Sequence, residues 1–203
     1  GRDDDTSSLG DWYVDDAKYP DGLDPLIAHV TGLGMQFGLW VEPEMVNPDS
    51  DLYRAHPEWA LQLAGRPMQT SRHQLVLDLT RAEVADYLFE TIGAVLADLP
   101  VTYLKWDHNR DLVAAGDAVG RAAYRGQVLA LYRLLDRFHA AFPALEIESC
   151  AGGGGRIDMG ILPHVQRFWA SDNIDALSRL EMQRGFLQFL PPEVMGSHIG
   201  TAP

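Results

Sequence analysis

The feature that most constrains this chain is a repeated alternation of short apolar runs with stretches of helical periodicity. Runs at 35–44, 74–79, 103–107, 146–150, 165–172 and 193–199 read as strands. The first is largely apolar, as strands buried on both faces of a parallel sheet are. Between them lie helical signals. Asp24-Pro25 opens one, with aspartate at the N-cap and proline at the first helical position; Leu26, Ile27, Val30 and Leu33 form its stripe, and Gly32 and Gly34 end it. Thr80-Arg81-Ala82-Glu83 reads as a capping box opening a helix that runs to about Leu99. Residues 124–141 repeat apolar side chains at Val128, Leu131, Leu135 and Phe138, and 175–190 reads as a further helix.

Strand and helix in alternation, with polar groups at the strand ends, predict the α/β class, whose sites gather at the carboxyl edge of the strands. A doubly wound sheet and a (β/α)8 TIM barrel both fit this pattern. A barrel takes about 250 residues. This chain has 203 residues, so a barrel built from it would be incomplete, with about six strands present.

The 29 acidic against 16 basic side chains, a formal net charge of −13, disfavour phosphate backbones and anionic lipid surfaces, so neither nucleic acid nor membrane is expected as a partner. No apolar run is long enough to span a bilayer and no signal-peptide pattern opens the chain, which points to a cytoplasmic protein. The polar start and the end at Gly200-Thr201-Ala202-Pro203 read as those of an excerpt. A single cysteine, Cys150, excludes an intrachain disulfide framework. The aspartates from Asp3 to Asp5 with Asp15 and Asp16 lack the spacing of a calcium loop and read as a solvated loop. The long connection 45–72 reads as a functional loop. The glycine run Gly152 to Gly155 matches neither phosphate-binding fingerprint, and reads as a turn that lets backbone amides approach a neutral polyhydroxylated ligand.

The chemistry concentrates at two strand ends. In Tyr103-Leu104-Lys105-Trp106-Asp107 the alternation of side chains puts Lys105 and Asp107 on one face, where a cation would favour an ionised carboxylate. Arg167-Phe168-Trp169-Ala170-Ser171-Asp172 also reads as a strand running into a carboxylate. Two carboxylates at the ends of different strands are the minimum equipment for cleaving a glycosidic bond.

Several stretches together resemble the catalytic barrel of the retaining α-galactosidases of glycoside hydrolase family 36. They are Ser8-Leu9-Gly10-Asp11-Trp12, Gly38-Leu39-Trp40-Val41-Glu42-Pro43-Glu44-Met45, Pro48-Asp49-Ser50-Asp51-Leu52-Tyr53-Arg54 with His56-Pro57, Lys105-Trp106-Asp107 with Asn109-Arg110, Ser149-Cys150-Ala151, and Ser171-Asp172-Asn173 with Asp175. The resemblance implies Asp107 as nucleophile and Asp172 as general acid/base, with Trp40, Arg72, Lys105, Asn109, Cys150, Gly152 and Gly153 holding the terminal galactose. It implies hydrolysis of terminal non-reducing α-1,6-linked galactose from oligosaccharides, with no metal or organic cofactor, in a parent protein that forms homo-oligomers. A galactosyltransferase of the raffinose-synthase type, a non-catalytic galactose-binding piece and a purely structural fragment remain as alternatives. Two departures stand out: the family's Asp-Asp-Gly-Trp-Phe at its first barrel strand would precede residue 1, and His108 stands where many members carry methionine, which reads as a tolerated change. The family's flanking β-domains also lie outside residues 1–203, leaving a partial barrel domain.

Overall fold

The computed structural model describes residues 4–117 and 119–198. In chain order its elements are α1 (Asp24–Gly32), β1 (Phe37–Val41), β2 (Met45–Val46), α2 (Asp51–Ala55), β3 (Leu75–Val76), α3 (Ala82–Asp98), β4 (Val101–Trp106), α4 (Tyr124–Ala141), β5 (Glu146–Ser149), β6 (Arg167–Trp169), α5 (Ala176–Phe186) and β7 (Met195–Gly196). The alternation in β4 decides which way the sheet faces. Leu104 and Trp106 are fully buried and join a core with Leu88, Ile92 and Leu96 of α3 and Leu131, Leu134, Leu135 and Phe138 of α4. Trp106 meets Phe138 edge-on at 5.6 Å, which fixes the sheet against α4. Tyr103 and Lys105 occupy the opposite face.

Strands β1, β4, β5, β6 and β7 form one sheet in that order, every neighbouring pair parallel. The order follows the chain without reversal, whereas a doubly wound sheet reverses at its switch point. The fold is α/β, and this order is consistent with consecutive strands of a (β/α)8 barrel.

The expected strand at 74–79 is not part of that sheet. Its core, β3, pairs antiparallel with β2 in a separate two-stranded ladder. Beyond β3 the Leu77 amide donates to the Glu44 carbonyl at 2.9 Å and the Asp78 amide to the Trp59 carbonyl at 2.7 Å, while the buried Gln127 of α4 accepts from the Leu79 amide at 3.0 Å and donates to the Leu77 carbonyl at 2.8 Å. The connection 45–72 also carries α2 and a 3-10 turn at Pro57–Trp59.

The first strand is not buried on both faces. β1 has β4 on one side only among the described residues, and Trp40 is 44 % exposed. Of the stripe expected on α1 only Ile27 is buried, and Asp24 is its first helical residue, with Leu23 at the N-cap. The capping box of α3 does not form: the Thr80 hydroxyl donates to Asp78 and Glu83 pairs with Arg81, which is itself the N-cap residue. Helix α4 keeps its expected bounds, although Val128 is exposed. α5 is shorter than expected, with Asp175 as an N-cap that accepts from the Ser178 amide at 2.8 Å. The last run becomes a 3-10 turn at Pro192–Val194 followed by β7, and Ile199 lies outside the described residues.

Asp4 and Asp15 serve local turns, accepting from the amides of Thr6 and of Ala17 respectively; Asp3 lies outside the described residues. Among the described residues no helix is long and apolar enough to cross a membrane. A free sheet edge invites pairing with another chain. Among the described residues the outer edges of β1 and β7 carry no further strand, so this chain in isolation is expected to self-associate through them, giving a weight-average mass in sedimentation equilibrium that rises with concentration; a concentration-independent monomer would contradict this.

Candidate active site

Parallel register aligns a polar row across the face opposite the core. Trp40 stands beside Lys105, Lys105 beside Glu148, and Glu148 beside Arg167. Asp107 follows the last residue of β4, and its amide extends the ladder by donating to the Val41 carbonyl at 2.8 Å, so its side chain continues the Lys105 face. The Cys150 amide does the same for β5, donating to the Trp106 carbonyl at 2.9 Å.

Asp107 is 6 % exposed. The Trp40 indole N–H donates to its Oδ2 at 2.9 Å and the His108 amide to its Oδ1 at 2.9 Å. Burial works to raise this carboxyl, but hydrogen bonds from Trp40, Asn109, Cys150 and the His108 amide outweigh it and hold the group below the ordinary aspartate value. Cys150 is the complement. Burial and the Asp107 charge push its thiol up to about 12, so it remains a protonated donor. Behind them Glu42 accepts from the Asn109 amide at 2.9 Å and from Gln74 at 3.0 Å; burial first, then the Asp107 charge, raises its carboxyl.

The salt bridge of Lys105 is with Glu148, not with Asp107: Nζ lies 3.5 Å from a glutamate that is 0 % exposed. Glu148 also accepts from the Tyr103 hydroxyl at 2.6 Å and lies 3.2 Å from the His198 ring. Gly196 has no side chain to occupy the place this carboxylate fills. Asp107 therefore owes its ionised state to neutral donors, and Lys105 is held by a partner on the neighbouring strand. Reading β4 alone could not show this, because the partner is set by the β4–β5 register.

Asp172 lies beyond β6 in an exposed loop, and the Trp169 indole donates to its Oδ1 at 2.8 Å. The glycine turn knits this loop to the first carboxylate. The Gly152 amide donates to Asn109 Oδ1 at 3.2 Å, and a Cβ at Gly153 (φ +85°) would come within 3.1 Å of Ser171 Cα, so the close approach needs glycine. Lys105 Nζ reaches over the Trp169 ring at 4.3 Å, bringing the ends of β4 and β6 together across β5.

Arg72 is exposed at a tight hairpin tip where both Arg72 (φ +52°) and His73 (φ +59°) are left-handed. The turn is held by Ser71 and Gln74, which bond each other's backbone, and by Asn47 donating to the His73 carbonyl at 2.7 Å. Among the described residues the Arg72 side chain has no hydrogen-bond or ion-pair partner.

Sequence reasoning missed a second buried charge cluster. Glu44 accepts from Arg156 Nη1 at 2.6 Å and the Trp106 indole at 3.0 Å, and lies 3.3 Å from His108 Nδ1. Burial opposes its charge, yet Arg156 and His108 hold it well below the usual carboxylate range. His108 is thus an ion-pair partner when protonated, beyond a tolerated change. A cavity of about 460 Å³ opens beside this cluster, lined also by Asn109, Arg110 and Gly152.

The arrangement presents an ionised, hydrogen-bonded carboxylate at the end of one strand and a solvent-facing carboxylate at the end of the next but one, with lysine, indole and amide donors between. That is equipment for attack on, and protonation of, a polyhydroxylated substrate. The melibiase family model matches residues 1–203. An α-galactosidase of Escherichia coli is 56 % identical over 200 residues, covering 98 % of this chain and 28 % of that protein. The crystal structure of the α-galactosidase AgaA from Geobacillus stearothermophilus superposes with a TM-score of 0.93 at 49 % identity, covering 100 % of this chain and 29 % of that one. Variants of AgaA have been solved in complex with stachyose and with raffinose. This chain thus spans less than a third of the length of the relatives it matches. Family model, sequence and fold agree over the whole chain: it belongs to the melibiase family, the α-galactosidases of glycoside hydrolase family 36.

Proposed function

We propose that this chain forms the catalytic part of a retaining α-galactosidase that releases terminal, non-reducing α-1,6-linked galactose from oligosaccharides. Asp107 is the nucleophile and Asp172 the general acid/base. The observation that carries the reading is the Asp107 carboxylate, ionised by neutral donors on both oxygens and fixed at a strand end. The raffinose and stachyose complexes of AgaA support a galactose-containing oligosaccharide as ligand.

Asp107 attacks the anomeric carbon while Asp172 gives its proton to the departing glycosidic oxygen, which keeps the electron pair of the broken bond. The resulting glycosyl ester on Asp107 is cleaved by a water that Asp172 deprotonates, so the configuration at the anomeric carbon is restored. Trp40, Arg72, Lys105, Asn109, Cys150 and the amides of Gly152 and Gly153 hold the sugar. Lys105 and Arg72 donate to hydroxyls, and Trp40 covers an apolar ring face. Turnover belongs to the full-length protein in which this chain, a partial barrel, supplies the two carboxylates.

The test is the anomer formed first. Proton NMR of raffinose cleavage by the full-length protein is expected to show α-galactose appearing ahead of mutarotation. The β-anomer appearing first would replace the retaining mechanism with an inverting one.

A further inference from the structure

We propose that Trp169 is a positioning residue for Asp172, with Arg179 bracing both: the indole N–H holds Oδ1 and leaves Oδ2 as the oxygen that carries the transferred proton. The proposal rests on reading Asp172 as the general acid.

Asp172 is exposed, and among the described residues its carboxylate accepts a hydrogen bond only from the indole of Trp169, at 2.8 Å. An exposed carboxylate is normally free to rotate. This one is tied to a ring that cannot swing, because Trp169 is 2 % exposed and three groups pack on it. The His198 ring stacks at 3.7 Å, Lys105 Nζ sits 4.3 Å from the ring centroid, and Arg179 Cζ sits 4.5 Å from it. Arg179 is itself 7 % exposed and uses Nη1 to donate to the Ser171 carbonyl at 2.9 Å, so it also holds the backbone one residue before Asp172. From the other side Gly153 packs against Ser171 Cα.

A protonated carboxyl has one donor oxygen and one oxygen free to accept. With the indole N–H on Oδ1, the proton resides on Oδ2. On departure of the leaving group that proton passes to the glycosidic oxygen, which takes the electrons of the broken C–O bond, while a lone pair of Asp107 forms the new bond to carbon. Asp172 becomes anionic in the same step. The hydrogen bond to Oδ1 then becomes charge-assisted and strengthens. Trp169 thereby fixes which oxygen delivers the proton and stabilises the charge left behind.

Trp169→Phe keeps a ring for the three stacking groups and deletes the N–H. In the full-length protein, log kcat/KM is to be plotted against leaving-group pKa for a series of aryl α-galactosides, with raffinose as the sugar leaving group. The variant is expected to lose about 10–100-fold on raffinose, the worth of one hydrogen bond to a charged group, and little on the most acidic phenol, so that the slope steepens. An unchanged slope with a uniform loss would mean that Trp169 is structural only, and would overturn the proposal. Asp172→Asn is measured alongside. If it fails to steepen the slope, the acid assignment itself falls; if it steepens the slope and Trp169→Phe does not, only the positioning role falls. Should Trp169→Phe not fold, Arg179→Lys keeps the charge but loses both the planar guanidinium over Trp169 and the Nη1 donor to the Ser171 carbonyl. A steepened slope in that variant upholds the brace and an unchanged one removes it.

Discussion

Replacing Asp107 by asparagine is expected to lower turnover of an aryl α-galactoside by roughly 10⁴-fold or more, the scale on which deleting a covalent nucleophile acts. The change is nearly isosteric, so the surroundings of β4 should survive, but the amide cannot form the glycosyl ester. It also meets the wrong partners. The Trp40 indole, the His108 amide, the Cys150 thiol and the Asn109 side chain all donate to this position, and an amide nitrogen placed there opposes one of them with another donor. Galactose affinity in the full-length variant, followed by calorimetry, should therefore weaken modestly and remain measurable while kcat collapses. Full turnover in Asp107→Asn would remove Asp107 from the nucleophile's place. Loss of binding together with turnover would assign it a sugar-holding role instead.

The elements legible in the sequence were those whose signal is local. Helix α4 could be bounded because Leu131, Leu135 and Phe138 repeat on one face, and the alternation in β4 separated Leu104 and Trp106 from Tyr103 and Lys105. What failed depended on partners far along the chain. The run at 74–79 has a strand's composition, but its pairing partner β2 lies about 30 residues earlier and the Gln127 side chain that bonds Leu77 and Leu79 lies about 50 residues later, so neither is set by local sequence. Thr80 and Glu83 have the capping-box spacing, yet Asp78 and Arg81 compete for them at shorter range. That β1 has a neighbour on one side only among the described residues is likewise set by the sheet order and not by its own composition. Within the site, Asp107 and Asp172 were readable as strand-end carboxylates. The indole N–H on each was not: Trp40 reaches Asp107 from another strand, and Trp169, though only three residues before Asp172, reaches it because the chain turns back on itself after β6. Glu148 lies on the same face as Cys150 by simple alternation, but its role as the partner of Lys105 needs the register of two strands.

Removing Arg156 is expected to carry the largest stability cost outside the apolar core. Glu44 is 2 % exposed, and Arg156 Nη1 at 2.6 Å is the strongest counterweight to its burial. Breaking a buried pair by deleting one partner typically costs about 3–5 kcal/mol, because the remaining charge is left uncompensated. Arg156→Gln should lower the urea midpoint of this chain at neutral pH accordingly, parent and variant being compared at equal concentration because self-association makes the midpoint concentration-dependent, and the pH dependence identifies the cause. In the parent the Glu44 carboxyl lies below its unfolded value of about 4.3, so its ionised form contributes stability that is present above that pH and lost as pH falls through the folded value. In Arg156→Gln burial meets less opposition and the carboxyl rises. The stability contributed by its ionised form then shrinks, and it reverses sign once the carboxyl passes its unfolded value, the variant then gaining stability as pH falls and Glu44 takes up a proton. The gap between variant and parent should thus be widest near pH 7 and narrow toward about pH 4–5. Glu44→Gln combined with Arg156→Gln, which leaves no uncompensated charge, should recover much of the loss at neutral pH. A gap that is constant with pH would mean that Arg156 stabilises the fold by packing alone, and equal midpoints at pH 7 would show that the buried glutamate does not depend on it.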